Sequence, residues 1–152
     1  MRFTYTIAII AALSATAATT ASAAAAKPAV RHIDVVERAT TDTVSLRGGT
    51  AADNVGDMMT FTNEIYDASN TKLVGSNQGV CFRLVIGKAL ECRWTLILAK
   101  GQIMVSGPVY DGKDSALAIV GGTGAYANAR GEMLLHARDA KASAYDFHYR
   151  IM

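Results

Sequence analysis

From Asp57 to Ile151 the sequence runs as short stretches of alternating apolar and polar residues, each cut off by a turn signal. This rhythm constrains the fold more than any other feature, because a period of two puts successive side chains on opposite faces of a strand. DMMTFTNEIYD, residues 57–67, is the clearest case: Met59, Phe61, Asn63 and Ile65 share one face, and Thr60, Thr62, Glu64 and Tyr66 share the other. Further strands are expected over Arg31–Arg38, Asn77–Ile86, Cys92–Ala99, Gln102–Val109, Ser115–Val120, Glu132–Arg138 and Tyr145–Ile151. Lys72–Val74 reads as a short extended piece. Reversals are expected at Ala68–Thr71, Gly87-Lys88, Lys100-Gly101, Asp111–Asp114 and Lys141–Ser143. Thr40–Val55, with its Gly48-Gly49 and Asp53-Asn54 turn signals, reads as a long connection. No stretch sustains a helical period. The fold class that follows is all-β, an eight-stranded antiparallel β-barrel whose interior holds side chains or one small ligand.

Not every strand declares its inner face. In NQGVCFRLVI, Gly79, Cys81, Arg83 and Val85 lie on one side and Val80, Phe82, Leu84 and Ile86 on the other. The greasier side need not be the barrel interior, since an oligomer interface would also cover it.

The first 26 residues stand apart. Met1-Arg2 gives a positive start, Ile7–Leu13 an apolar core, and Ala21-Ser22-Ala23 a small-residue cleavage site, the pattern of a secretory signal peptide. The apolar core is shorter than the roughly 18 residues that span a bilayer, so no stable membrane insertion is expected. Residues 27–152 then form one domain, with a secreted or periplasmic location. In an oxidising compartment an even cysteine count points to a disulfide, and Cys81 and Cys92 allow a single pairing, across the hairpin that turns at Gly87-Lys88. A metal site is not expected, for want of a C-x-x-C or a matching His spacing. A formal net charge of +2, evenly scattered, excludes nucleic acid as a leading partner.

Leu117–Gly131, LAIVGGTGAYANARG, admits two readings. Gly122-x-Gly124-x-x-Ala127 after an apolar strand approximates a dinucleotide-binding fingerprint, which needs a following helix inside a βαβ unit to hold a pyrophosphate. After Ala127 only strand-like alternation remains, so that reading fails. The second reading has support along the chain. Gly56-Asp57 with Phe61-Thr62-Asn63 and Tyr66, then Val74-Gly75, Gln78-Gly79-Val80-Cys81, Gly107-Pro108 and LAIVGGTGAYANARG resemble, in this order, the allene oxide cyclase-like and dirigent-like barrel superfamily. The resemblance implies an eight-stranded barrel, a homo-oligomer that is usually a trimer, a pocket for a small hydrophobic ligand, and no cofactor.

The same resemblance nominates residues. Phe61, Asn63 and Cys81 match pocket positions of plant allene oxide cyclases, where an aromatic face would meet developing positive charge and the amide would hold an oxygen or a water. The tyrosine that follows Gly-Pro in those enzymes is Val109 here, with Tyr110 one place later. Their first-strand glutamate falls in the region of His32 and Asp34. Dirigent proteins supply a second template, in which Arg130 matches an arginine and Asp34 an aspartate of the first strand, with Tyr126 beside them in the glycine-rich motif. The ligand-pocket candidates are therefore Phe61, Asn63, Asp34, Arg130 and Tyr126, and no residue is given a catalytic role. Each also has a structural explanation: Phe61 as core aromatic, Asn63 as a partner for backbone groups, Arg130 as the ion-pair partner of Asp53, Asp57 or Glu132. His32, His136 and His148 read as exposed or paired strand residues. The function expected is an exported barrel that binds a small hydrophobic or phenolic ligand and guides its cyclisation or isomerisation. The alternatives are a non-catalytic dirigent-like auxiliary or ligand-binding protein, and a barrel with a filled interior.

Overall fold

The structure is a computed structural model, and it describes residues 29–47 and 53–152. The signal peptide expected over residues 1–26 and the Gly48-Gly49 turn lie outside the described residues. Nine strands occur among those described: β1 (Arg31–Arg38), β2 (Thr43–Ser45), β3 (Met58–Asp67), β4 (Leu73–Val85), β5 (Ala89–Leu98), β6 (Gly101–Tyr110), β7 (Ser115–Gly122), β8 (Gly131–Ala137) and β9 (Ala144–Ile151). One 3-10 turn, Gly124–Tyr126, links β7 to β8.

Every pairing is antiparallel, and the strands follow one another from β3 to β9. β9 pairs with β1, and β1 returns to β3 through Val35–Asp67 and Arg38–Glu64, which closes an eight-stranded barrel. Closure removes the unpaired edges an open sheet would expose. Arg38 reinforces the seam outside: its guanidinium lies 3.6 Å from the Tyr66 ring centre, and Nε donates to Asn70 Oδ1 at 3.0 Å.

Two elements differ from the sequence expectation. Lys72–Val74 and Asn77–Ile86 are not separate pieces, because β4 runs unbroken for 13 residues. Gly75, which reads as a break, packs so closely on the Ile97 carbonyl that a Cβ there would clash. The long connection also contains β2, which pairs with β3 through Thr43–Thr60 and Ser45–Met58. β1 and β2 lie on the same side of β3 and are interrupted over residues 39–42, where the chain leaves the ladder. The orientation that the sequence left open is settled with the greasy side of β4 facing out: Phe82 and Leu84 are exposed, while Cys81 is buried.

The interior is organised by aromatic rings. Trp94 stacks on Phe147 at 5.4 Å, Phe61 meets Trp94 edge-on at 6.1 Å, and Phe147 meets Tyr149 edge-on at 6.4 Å. The rings fit because Gly79 sits beneath them, where a Cβ would lie 2.5 Å from Trp94 Cβ and 2.6 Å from Phe61 Cζ. Cys81 and Cys92 face each other in the β4–β5 ladder, with Cα atoms 4.1 Å apart, and are joined as a disulfide.

Replacing Gly79 by Ala is expected to destabilise the fold by about 1–3 kcal/mol through overpacking, read as a lower urea midpoint at unchanged slope. A midpoint equal to wild type would mean that the rings do not depend on this glycine.

Candidate functional site

Alternation along β1 puts Ile33, Val35 and Glu37 on the inner face, so the strand carries a carboxylate into the barrel near its end. Glu37 is 5 % exposed. Asn63 and Asn77 project inward from β3 and β4 and meet it. Asn63 Nδ2 donates to Glu37 Oε1 at 2.9 Å, and Asn77 Nδ2 donates to the same oxygen at 2.8 Å. Both amides thus converge on one carboxyl oxygen. Burial pushes the Glu37 carboxyl up to about 7, with the charge of Asp42 acting in the same direction and the two amide donors opposing it.

Asn63 also holds the interruption between β1 and β2. Its Oδ1 accepts from Thr40 N at 3.1 Å, Thr41 N at 3.0 Å and Thr41 Oγ1 at 2.9 Å, while Nδ2 reaches Asp42 Oδ1 at 2.7 Å. The backbone groups freed where the chain leaves the ladder thus find a side-chain partner. One amide fixes both the break and the two acids beside it.

Glu37, Asp42 and Tyr145 form the polar side of a cavity of about 50 Å³. Phe61, Trp94 and Phe147 form its aromatic side, and the Cys81–Cys92 disulfide lies against it with Met59. The cavity shares Met59, Val109, Leu135 and Tyr145 with a broader cleft of about 970 Å³ at the barrel mouth. Burial raises the Tyr145 phenol above its usual range, and the charges of Asp42, Glu37 and Asp139 add to the shift.

The mouth is shaped by ion pairs. Arg83 Nε donates to Asp53 Oδ1 at 2.7 Å, and Nη1 donates to both Asp111 oxygens at 3.0 and 2.9 Å. Asp57 accepts from Arg47 N at 2.6 Å and Asn54 N at 2.9 Å, and these backbone donors hold its carboxyl below the usual range. Residues 53–57 are thereby tied to the turns that follow β4 and β6.

The structure separates the residues nominated from sequence. Phe61 lines the cavity, and Asn63 is buried beside it with its amide committed to backbone and carboxylates. Cys81 is disulfide-bonded, so it offers no thiol. Asp34 lies on the outer face of β1, exposed, and its Oδ1 accepts from His148 Nδ1 at 2.8 Å. Tyr126 and Arg130 stand at the end of the barrel opposite the mouth. Tyr126 is buried in the core beneath Arg31, whose Nη1 donates to Ala125 O at 3.0 Å. Arg130 pairs with none of Asp53, Asp57 or Glu132; its Nη1 donates to Val120 O at 3.0 Å and Ala129 O at 2.7 Å. The glycine-rich motif closes this end: Thr123 N donates to Gln102 O and Ala125 N to Lys100 O, so these amides are already engaged by backbone.

Sequence reasoning missed Glu37, Asp42, Trp94 and Tyr145. For Glu37 the signal was present, since the period that puts Ile33 and Val35 inside continues to residue 37. Asp42 carried no such signal, because it lies in the interruption between strands.

The family model described as allene oxide cyclase matches residues 23–141. Solved structures share the fold. A pyocyanin demethylase superposes with a TM-score of 0.66 at 24% identity, covering 77% of this chain and 98% of that one. A pterocarpan synthase dirigent protein gives 0.64 at 19% identity, covering 81% and 83%. An exo-specific intermolecular Diels-Alderase gives 0.62 at 14% identity, covering 82% and 98%. With a closed antiparallel barrel of eight strands and a family match that spans most of its length, the chain belongs to the allene oxide cyclase family.

Proposed function

We propose that this barrel binds a small hydrophobic or phenolic molecule through its mouth and guides a cyclisation or isomerisation by proton transfer at Glu37, without a cofactor. The observation that carries this reading is the carboxyl itself: buried, held near neutral in its proton affinity, fixed through Oε1 by two amides, and lining an aromatic-walled cavity. In the protonated form Glu37 donates through Oε2 to an oxygen opening or departing on the ligand. The carboxylate so formed then takes a proton back from the carbon skeleton. Phe61, Trp94 and Phe147 present ring faces to positive charge that develops between the two events. Asn63 and Asn77 keep the carboxyl in position. The family membership and the catalysts and dirigent proteins that share the fold support a small-molecule role.

A second reading is a non-catalytic dirigent-like auxiliary. The dimensions favour it: the inner cavity is only about 50 Å³ while the cleft is about 970 Å³, so a larger molecule would rest in the mouth and be oriented there.

Export belongs to the same proposal, with residues 1–26 as the leader. The disulfide suits an oxidising compartment, and no helix among the described residues is long and apolar enough to cross a membrane. Self-association, as a trimer in the family's manner, would cover the exposed apolar face at Phe82, Leu84, Met104 and Val120.

Glu37→Gln is expected to lower turnover of a responding substrate by about 10²- to 10⁴-fold while leaving its dissociation constant within a few-fold of wild type. Unchanged turnover in this variant would favour the auxiliary reading.

The folded carboxyl retains its proton to about pH 7, whereas the unfolded chain releases it near 4.5, so the folded state gains proton-linked stability at low pH and loses it as pH rises through that window. Stability measured by denaturant is expected to fall by about 3 kcal/mol across the window in wild type, over and above the decline left in Glu37→Gln. Parallel profiles for the two proteins would refute the burial of this charge. Light scattering is expected to return a multiple of the monomer mass, and Phe82→Asp with Met104→Asp to return the monomer; a monomeric wild type would refute self-association through this face.

A further inference from the structure

The inner cavity is too small for a ring. A cavity of about 150 Å³ holds one benzene, whereas the space beside Phe61, Trp94 and Phe147 is about 50 Å³. Part of its wall must move before a ligand can enter. Most of that wall is fixed. Phe61, Trp94 and Phe147 pack on one another, Cys81 and Cys92 are cross-linked, and Glu37 is held by two amides, all on strands paired along both edges.

Asp42 is the exception. It belongs to residues 40–47, a segment that borders both spaces: Asp42 lines the cavity, while Val44 and Leu46 line the cleft. Every residue of the segment is exposed, Val44 to 54% and Leu46 to 38%, so lifting it uncovers little apolar surface. Its strand, β2, pairs with β3 over three positions, and the other edge of β2 has no strand partner among the described residues. The two ends are pinned. Ala39 N donates to Ser143 O at 3.0 Å, and Arg47 N donates to Asp57 Oδ1 at 2.6 Å. Between the pins, two side chains hold the segment down. Asn63 Oδ1 accepts from Thr40 N, Thr41 N and Thr41 Oγ1, and its Nδ2 donates to Asp42. Thr41 Oγ1 lies 2.8 Å from both Thr62 O and Thr62 N. Contacts of this kind are exchanged for water at little net cost.

We infer that residues 40–46 are a lid, hinged at Ala39 and Arg47 and latched by Asn63 and Thr41, which lifts off β3 to join the inner cavity to the cleft and admit a ligand to the aromatic wall. The eight-stranded barrel stays intact through this motion, because β2 lies outside the closed ladder. Passage of a ligand rests on the proposal that the cavity is a small-molecule site. The lid itself does not.

One signal in the full chain tests both: the indole N–H of Trp94, the single tryptophan, which lines the cavity and whose Nε1 is buried. Thr43 and Thr60 are opposed in the β2–β3 ladder and are both exposed, so Thr43→Cys with Thr60→Cys allows a disulfide that fastens the lid. Hydrogen exchange at the indole is measured by NMR and corrected for intrinsic rates. In wild type it is expected to be at least about tenfold faster than the slowest β5 amides, which set the rate of global opening. Oxidising the new bridge is expected to bring it down to that limit. Mild reduction restores it, with wild type treated alike as the control. Thr41→Val, which removes the latch hydroxyl at an exposed position, is expected to raise the exchange rate by about three- to tenfold. Phenol, a probe of one ring, is expected to shift the indole signal saturably in wild type and to be excluded by the oxidised variant. Exchange and phenol binding that both ignore the bridge overturn the lid and leave the cavity as a small-molecule site. Exchange that obeys the bridge, with no phenol binding to any form, upholds the lid and overturns the small-molecule reading. If the cysteine pair does not fold or cross-link, Thr41→Val decides alone, and an exchange rate equal to wild type overturns the latch.

Discussion

The barrel closes where β1 meets β3, and that seam depends on how buried polar groups are satisfied. β1 leaves the ladder over residues 39–42, where Asn63 Oδ1 accepts from the amides of Thr40 and Thr41. The same side chain donates to Glu37 and Asp42, so the seam and the acidic site are one hydrogen-bonded unit. In a closed sheet no strand moves without its neighbours, which makes this junction the constraint on which the cavity's shape depends.

The aromatic wall is set by a different economy of space. Trp94, Phe61 and Phe147 fill the interior only because β4 contributes Gly79 where another strand would contribute a side chain. The disulfide occupies the next inward position on β4 and is already registered by the β4–β5 ladder. Rigid rings and a cross-link therefore stand on one side of the cavity, and titratable groups on the other. Preorganised surroundings of this kind let charge develop without reorganising the protein.

The two ends of the barrel have opposite roles. At one end the glycine-rich motif folds into a short turn, buries Tyr126 and engages its amides with Lys100 and Gln102 carbonyls. At the other end Asp53, Asp57 and Asp111 tie the connecting segments to the rim and leave a cleft. The most conspicuous motif in the chain is thus remote from the site, and the acid that the site is built on stands in an ordinary strand.

Most strand positions, the turns at Gly87 and Gly101 and the cysteine pairing were legible in the sequence, because each follows from a period of two and from local turn chemistry, whereas the outward face of β4 was not. The inward direction of Glu37 was legible in the same way, as the continuation of Ile33 and Val35. The sequence by itself therefore determined the barrel and most of its strands, because period and turn chemistry are local. It did not determine that residues 73–85 form one strand, that β2 joins β3, or which end of the barrel opens. Nor did it separate Phe61, at the cavity, from Asp34, Tyr126 and Arg130, which the fold carries elsewhere. Those outcomes belong to the tertiary structure, since they depend on closure: only when β1 meets β3 do Glu37, Asp42, Asn63 and Trp94 come together, and burial without a counter-charge gives the acid its chemistry.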